Sequence, residues 1–233
     1  MKYLLSLVLG MVIGVAVFLA LLYVNPLAAQ NRLSPLSVSD NDVITFNYSA
    51  VAADALVYTN DGESRIAPYP AKVLQLWEPT VRHTDVMVTV MRDSRNQPAA
   101  IGIKFSSDSE RTRILNSEAI VDSAWHIYAP GQGSLFVEQQ ENLWAYLREI
   151  VIPAHWSSAD SWRGSWSGNV TSGPGALGTG RVVGGSGVFA GLDSDSVESL
   201  NAKAYAVAGG PVAMDGELAI EIPRRDALLT ADP

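Results

Sequence analysis

The feature of this sequence that most constrains its folding is an uninterrupted apolar run at the N-terminus. From Tyr3 to Val24 the chain reads YLLSLVLGMVIGVAVFLALLYV and carries no charged side chain. A helix rises 1.5 Å per residue, so a run of this length reaches about 33 Å, close to the thickness of a bilayer's hydrocarbon core. The sequence therefore predicts a transmembrane anchor over residues 1–24.

The groups that flank this run predict its orientation in a membrane. Only the amino terminus and Lys2 precede it, and a short positively charged end stays in the cytoplasm. Tyr3 and Tyr23 would then lie at the two membrane interfaces. The sequence thus predicts a single-pass membrane protein whose C-terminal part is extracytoplasmic, and periplasmic in a Gram-negative bacterium.

A cleavable signal peptide is the alternative for the same run. Leu27-Ala28-Ala29 forms a small-residue cleavage site just after it. Signal peptides usually carry an apolar region of about 7 to 15 residues, and this run is longer, which favours an uncleaved signal-anchor. Both interpretations export the rest of the chain.

Charge and composition limit the partners and the chemistry. Sixteen Lys and Arg stand against 24 Asp and Glu in 233 residues, a net charge of −8, so nucleic acid is not an expected partner. With no cysteine, disulfides, thiolate catalysis and Cys-ligated zinc are excluded. The three histidines, His83, His126 and His155, show no helical i, i+4 spacing, so we expect no metal, and no motif calls for a cofactor.

The exported part is divided by composition into three regions. Residues 25–42 hold Pro26, Pro35 and several serines and read as a linker, residues 43–223 as a β-barrel domain, and residues 224–233 as a tail. Alternating or β-rich runs predict the strands of a small antiparallel β-barrel. These runs are Val43–Ser49, Ala55–Thr59, Asp85–Met91, Ala99–Phe105, Ala119–Tyr128, Ser134–Gln139, Val197–Val207 and Gly216–Ile222.

Two segments break the β pattern and predict helical insertions. Tyr69–Glu78 and Glu141–Ile152 place apolar residues at helical spacing. Each is followed by a proline, Pro79 and Pro153, which we expect to end the helix. The fold class predicted is therefore mainly β, a barrel with one or two helical insertions after a single N-terminal transmembrane helix.

A glycine-rich stretch near residue 185 matches a nucleotide-binding motif in spacing only. Gly185-Ser186-Gly187-Val188-Phe189-Ala190 fits the Gly-x-Gly-x-x-Ala form, which requires a helix directly after it to bind pyrophosphate. Here Gly191-Leu192-Asp193-Ser194-Asp195 follows, which is acidic and turn-forming. Glycine inside strands instead marks bulges, barrel corners or close backbone approach. The sequence predicts curved β structure and no nucleotide site.

The same stretch resembles a known signature. Val182-Val183-Gly184-Gly185-Ser186-Gly187-Val188-Phe189-Ala190-Gly191 is similar to the repeated motif of the allene oxide cyclase and dirigent barrel group. The resemblance implies that the stretch links two late strands of a small antiparallel barrel. It covers about a quarter of the chain, and no catalytic residue is carried over from it.

An unusual composition between His155 and Trp166 suggests a second kind of site. Three tryptophans, an arginine, an acid and a histidine fall within about twelve residues, as side chains at the mouth of a barrel would when large apolar ligands enter there. In that pocket a histidine or Asp160 would act as acid or base. Packing of the tryptophans in the core, at a membrane surface or at a partner interface is the alternative. The candidate ligand-binding residues are His126, Tyr128, His155, Trp156, Trp162 and Arg163.

Two functions are compatible with these features. The first is a binding or assembly protein, an anchored barrel that contacts a membrane protein complex or a small apolar ligand. The second is an enzyme, an isomerase, cyclase or lyase acting on a small apolar substrate inside the barrel. The first is favoured because the second requires a catalytic constellation, and the sequence identifies no catalytic residue.

Overall fold

The structure is a computed structural model and describes residues 2–24, 41–51, 57–60, 63–64 and 84–222. The predicted linker up to residue 40, the predicted helix Tyr69–Glu78 and the tail 224–233 lie outside the described residues. The described part is mainly β and contains few helices.

The N-terminal run forms one helix, α1 (Lys2–Val24). Its large apolar side chains are exposed along its described length, from Tyr3 to Leu21. Within the residues searched, those that the structure describes, no helix is both long and apolar enough to cross a membrane.

The rest of the described chain is a closed antiparallel barrel. The strands are β1 (Asp42–Ser49), β2 (Val57–Asn60), β3 (Glu63–Ser64), β4 (Thr84–Arg92), β5 (Pro98–Asp108), β6 (Ile120–Ala129), β7 (Gly133–Asn142), β8 (Ser161–Asn169), β9 (Thr171–Gly173), β10 (Gly180–Gly185), β11 (Ser194–Ala206) and β12 (Gly210–Ile222). Eight of them follow one another around the barrel in the order β1, β12, β11, β10, β7, β6, β5 and β4, and β4 pairs with β1 to close it. The predicted antiparallel β-barrel is therefore confirmed.

Closure depends on β4 changing its partner along its length. The first half of β4 pairs with β2, and its last residue, Arg92, pairs with Asn47 of β1. The hydroxyl of Thr89 also donates a hydrogen bond of 3.4 Å to the carbonyl oxygen of Ser49. A closed barrel removes the unpaired edges that would otherwise promote association by strand addition.

Between β7 and β11 the wall of the barrel is formed by two segments, β10 and β8–β9. β10 pairs with the first residues of β11, whereas β8 pairs with its second half. β9 continues from β8 and pairs with the end of β7. The β8–β9 segment therefore completes the wall of the barrel beyond the end of β10.

Alternation along the strands separates an interior from an outer face. On β6, Ser123, Trp125 and Ile127 are buried, whereas His126 and Tyr128 point away from the barrel axis. The interior side chains form one hydrophobic core. Its largest fully buried members include Trp125, Met91, Ile127, Leu135, Ile150, Leu218 and Ile220.

The second predicted helix exists, but its predicted end is wrong. Glu141 belongs to β7, and the helical segment runs through α2 (Trp144–Tyr146), a π-helical turn (Leu147–Val151) and α3 (Ile152–Trp156). Pro153 lies just after the π turn inside one continuous helical segment, since Val151 and Ile152 keep the right-handed helical backbone, and it does not stop the helix. A proline has no N–H to donate and crowds the carbonyl four residues before it. The widened π turn changes the hydrogen-bond spacing just before the proline, where that donor is missing.

The glycine-rich stretch forms a strand, a turn and a strand, as predicted. β10 ends at Gly185, a single 3₁₀ turn covers Gly187–Phe189, and β11 runs antiparallel to β10. The turn lies against the β6–β7 turn, and the amide of Val188 donates a 2.8 Å hydrogen bond to the carbonyl of Gln132. The glycines therefore allow two backbones to touch.

Candidate functional site

The six ligand-binding candidates lie on three separate elements. His126 and Tyr128 are on the outer face of β6, where the ring of His126 stacks on Phe136 with 4.5 Å between centroids. His155 and Trp156 end α3, and both are exposed, with Nδ1 of His155 2.8 Å from the carbonyl oxygen of Val151.

The remaining candidates, Trp162 and Arg163, are adjacent on β8. Trp162 packs against the hydrophobic core, whereas Arg163 is exposed. The third tryptophan of the segment, Trp166, is buried and donates a 3.0 Å hydrogen bond from Nε1 to Glu149 of the helical segment. Trp166 therefore packs a helix against the barrel, and ligand contact by the six candidates stays a prediction.

An apolar outer face covers four neighbouring strands. We use this name for the apolar and aromatic outward side chains of β4 to β7, strands that pair side by side in the sheet. The exposed fraction is 51% for Tyr128, 44% for Phe105, 43% for Phe136 and 41% for Ile101. The members are Val86, Val88, Val90, Ile101, Ile103, Phe105, His126, Tyr128 and Phe136. Charged side chains border the face: exposed Glu138 stands at the end of the Phe105 row, and Arg92 and Asp122 lie at its two ends.

The size of the apolar outer face distinguishes it from scattered surface residues. Summed over its side chains, the exposed area is on the order of 600 Å², at the upper end of the largest apolar patch on a typical monomer. Patches of this size with a polar rim mark interaction sites. The face is therefore the strongest candidate for a functional surface among the described residues.

A surface pocket of about 390 Å³ lies at one end of the apolar outer face. Phe105 forms part of its lining, together with Asp122, Glu138 and Gln140. The side-chain amide of Gln140 donates a 3.0 Å hydrogen bond to Asp122. An aromatic ring beside two carboxylates is an environment that a cationic group would occupy.

The interior of the barrel contains a cluster of buried charges, which we call the ionic cluster. Lys104 of β5 lies 2.7 Å from Glu198 of β11 and 2.8 Å from Glu141 of β7, measured from Nζ to carboxylate oxygen. Glu198 also accepts a 3.0 Å hydrogen bond from Nε1 of Trp125. The side chain of Glu198 is 0% exposed and that of Glu141 is 5% exposed. The ammonium group of Lys104 thus pairs with two carboxylates that are both buried.

Neutral donors complete the cluster. The hydroxyl of Tyr48 and the amide nitrogen of Gln139 both donate to Glu198, and the hydroxyl of Ser123 donates to Glu141. Tyr48 is opposite Gly216 on β12, and a β-carbon at residue 216 would overlap the tyrosine ring. The glycine therefore makes room for the phenol that reaches Glu198.

The cluster members shift one another's pKa values. Burial alone would lower the pKa of Lys104, but the attraction of Glu141 and Glu198 outweighs it and raises that pKa. Burial and repulsion from Glu198 raise the pKa of Glu141 in spite of Lys104. For Glu198 the opposite holds: burial would raise its pKa, but Lys104 and the hydrogen bonds from Tyr48 and Trp125 lower it. Burial and the neighbouring carboxylates raise the pKa of Tyr48.

These shifts predict that the barrel loses stability at high pH. The pKa values of Lys104 and Tyr48 lie above their ordinary 10.5 and 10.0, so the folded state holds both protons more tightly than the unfolded chain. Their contribution is complete below about pH 10 and is lost as pH rises through the raised values. Urea unfolding followed by tryptophan fluorescence between pH 8 and 11.5 measures the effect.

The matched variant for this prediction is Tyr48→Phe, which keeps the ring and removes the phenol proton. It should be less stable than the wild type by about 1–3 kcal/mol at neutral pH, since Glu198 loses a donor. Its loss of stability above pH 10 should be smaller than that of the wild type. Equal alkaline slopes in the two proteins would contradict the assignment.

Two polar atoms near the cluster have no hydrogen-bond partner among the described residues. They are Oε1 of Gln139 and Oγ of Ser196, and both are buried. Gly180 lies between them, because a β-carbon there would lie 2.6 Å from the Ser196 hydroxyl and 2.9 Å from Cβ of Gln139. Buried unpaired polar atoms of this kind are commonly joined by an ordered water.

The ionic cluster is buried, and two of its neutral donors, Ser123 and Gln139, also line the pocket beside Phe105. Its acids and its base are occupied by one another, and Trp125, Tyr48 and Lys104 pack as one layer, with Nζ of Lys104 5.4 Å from the Trp125 ring centre. Closed polar networks of this type rigidify a core and specify one arrangement of it. The cluster therefore supports the architecture of the barrel.

The ionic cluster was not predicted from the sequence. Lys104 stands in the run AAIGIKF and Glu198 in SDSVESL, where a charged residue is normally expected at the surface. The alternation of β5 places the side chain of Lys104 on the same face as those of Ala100 and Gly102, both of which are buried. This spacing would have predicted that Lys104 is buried only if the inner face of the strand had been known.

Comparison with protein-family models finds no family that matches this chain. Comparison with curated proteins finds no match either. Among the described residues, no group of three or more His, Asp or Glu is placed to hold a metal ion. The resemblance of Val182–Gly191 to the allene oxide cyclase and dirigent group stays a prediction, and the site is interpreted from its own geometry.

Proposed function

We propose that this chain is a membrane-anchored, extracytoplasmic binding protein that assembles with a protein partner through the apolar outer face. The observation that carries the proposal is that face, with Tyr128, Phe105, Phe136 and Ile101 exposed on three neighbouring strands. Exposed aromatic and aliphatic anchors inside a polar rim are what the cores of protein interfaces contain.

The interior of the barrel favours assembly over catalysis. An isomerase, cyclase or lyase acting inside the barrel would need an acid or base that a substrate reaches. Lys104, Glu141 and Glu198 are paired with one another and buried. The outer face requires no such opening, so the binding role is the better supported of the two.

The membrane anchor is proposed from the sequence of α1. Residues Tyr3 to Val24 carry no charge, and Lys2 is the only charged side chain before them. This arrangement directs the barrel to the outside of the membrane. Protease added to intact spheroplasts should cleave the C-terminal part of the chain, whereas protection of that part until the membrane is broken would refute the orientation.

The assembly role is tested on gently solubilised membranes from cells that produce the full-length chain. On a native gel the wild-type chain should migrate as a complex larger than its 24.9 kDa monomer. The double variant Ile101→Lys/Phe136→Lys places two buried charges in the interface and should shift the chain to the monomer position.

Val212→Lys is the matched control for the assembly test. Val212 is an exposed apolar residue of β12, on the other side of the barrel from β5 and β6. It should keep the large complex. If wild type and the double variant migrate alike, the apolar outer face is not the docking surface.

A further inference from the structure

The apolar outer face differs in charge from the opposite side of the barrel. On β12 the outward positions include Asp215, Glu217 and Glu221, which alternate with buried Gly216 and Leu218. The whole chain carries a net charge of −8, so two copies repel one another over much of their surface. The apolar outer face, whose Ile101 and Ile103 rows carry no charged side chain, is where two copies approach with the least repulsion.

We propose that the occupant of the apolar outer face is a second copy of this chain, bound through the same face in an antiparallel two-fold arrangement. The inference rests on the proposed function, that this face is a docking surface. In a two-fold interface each patch must be complementary to itself, and a patch of apolar side chains meets that condition.

The pairing of the strands identifies where the two-fold axis passes. Val88, Ile103, His126 and Phe136 form one row across β4, β5, β6 and β7. This row lies midway along the face, with the Ile101 row towards one end and the Phe105 row towards the other. An axis that lies in the interface over Ile103 and crosses the strands obliquely places β5 of one copy over β5 of the other in the antiparallel sense, so that the Ile101 row meets the Phe105 row.

The charges at the two ends of the face agree with this axis. Arg92 lies on β4 four residues beyond Val88, and Asp122 lies on β6 four residues before His126, in the opposite direction. At about 3.3 Å per residue both are about 13 Å from the central row. Rotation by 180° about Ile103 therefore places Arg92 of one copy over Asp122 of the other.

The pocket beside Phe105 can accommodate the side chain of Arg92 from the other copy. It is lined by Asp122, Glu138 and Phe105, two carboxylates and an aromatic ring that suit a guanidinium. Arg92 donates to the carbonyl of Asn96, and Asp122 accepts from Gln140, both neutral groups. Within the described residues neither Arg92 nor Asp122 takes part in a salt bridge inside one copy, so each is available to its counterpart.

The area of the face agrees with a dimer held on a membrane. With on the order of 500 Å² contributed by β4, β5 and β6 of each copy, the interface totals roughly 1,000 Å², at the lower limit of specific interfaces. Anchors in one membrane raise the effective concentration of the two barrels, which compensates for a modest area.

The proposal is tested first by the mass of the purified full-length chain in detergent. Size-exclusion chromatography with light scattering should give two chains per particle after correction for detergent. Ile103→Cys should form a disulfide-linked dimer under mild oxidation, because Ile103 lies at the axis and the natural chain has no cysteine. Lys203→Cys, at an exposed position of β11, should not.

A charge-reversal cycle tests the antiparallel arrangement. Arg92→Asp and Asp122→Arg should each weaken dimerisation by about tenfold, because each places like charges opposite one another. The double variant Arg92→Asp/Asp122→Arg should restore the wild-type dissociation constant. A purely structural role for either residue would leave the double variant as weak as the worse single one. Unchanged tryptophan fluorescence verifies that each variant is folded.

The outcomes separate this proposal from the proposed function. If the purified chain is a monomer but its membrane complex depends on Ile101 and Phe136, the partner is a different protein. That result would overturn the proposed dimer and leave the apolar outer face as the docking surface. A dimer that Ile101→Lys/Phe136→Lys leaves intact would also overturn it. A monomer with no face-dependent complex in membranes would overturn both.

Discussion

Replacing Lys104 by methionine is expected to lower the free energy of unfolding by about 3–5 kcal/mol, the usual cost of removing one partner from a buried ion pair. Methionine fills a similar volume, so the loss comes from charge and not from a cavity. Glu141 and Glu198 would then face each other without a cation, and both are buried. Urea unfolding at pH 7, followed by tryptophan fluorescence or circular dichroism, measures the change.

Lys203→Met is the matched control for this substitution. Lys203 is exposed on β11, so its replacement should change stability by less than about 0.5 kcal/mol. The deficit of Lys104→Met should also shrink at acid pH, because protonation of a carboxylate removes the repulsion. A deficit no larger than that of Lys203→Met, or one that is the same at pH 4 and pH 7, would show that the cluster does not contribute as described.

Gly187→Ala is expected to lower the free energy of unfolding by about 2–4 kcal/mol. Gly187 has φ +63°, a left-handed backbone that costs alanine roughly 1 kcal/mol. In addition, its β-carbon would overlap the carbonyl oxygen of Gln132, a backbone atom that cannot rotate away. The two turns must separate, and the hydrogen bond from Val188 to Gln132 is then strained or lost.

Gly191→Ala separates the cost of the left-handed backbone from the cost of the overlap with Gln132. Gly191 has φ +74° in the same loop, but nothing lies within 4 Å of a β-carbon there. It should therefore lose only the backbone part, roughly 1 kcal/mol. If thermal or urea unfolding shows equal losses for Gly187→Ala and Gly191→Ala, close contact between the turns is not what the glycine at 187 provides.

The two structural predictions and the two docking proposals concern different parts of the barrel. Lys104 and Gly187 act on the stability of the fold, whereas Ile101, Phe136 and Arg92 lie on its outside. Variants of the outer face should therefore change assembly with little change in unfolding, which is what a surface role requires. A loss of stability comparable with that of Lys104→Met would instead assign the face to folding.

Local sequence patterns were sufficient to predict most of the barrel. Runs such as Asp85–Met91 and Ala119–Tyr128 were correctly placed as strands because β-branched and aromatic residues favour a pleated backbone. The glycine-rich turn was also predicted correctly, since an acidic, turn-forming segment follows it where a nucleotide site needs a helix. Pro153 was misplaced because the rule for helix ends is local, and the π turn before it is not visible in the sequence.

What the sequence by itself determined about this protein is the period of its strands, since alternation is a property of the backbone. On β6 this alternation places Trp125 and Ile127 on one face and His126 and Tyr128 on the other. Because both pairs are apolar or aromatic, the sequence does not say which pair faces the interior. Only closure of the barrel decided that His126 and Tyr128 lie outside. Closure also brought Lys104 within reach of Glu198, 94 residues away, because a buried charge is stable only where distant strands supply its partner.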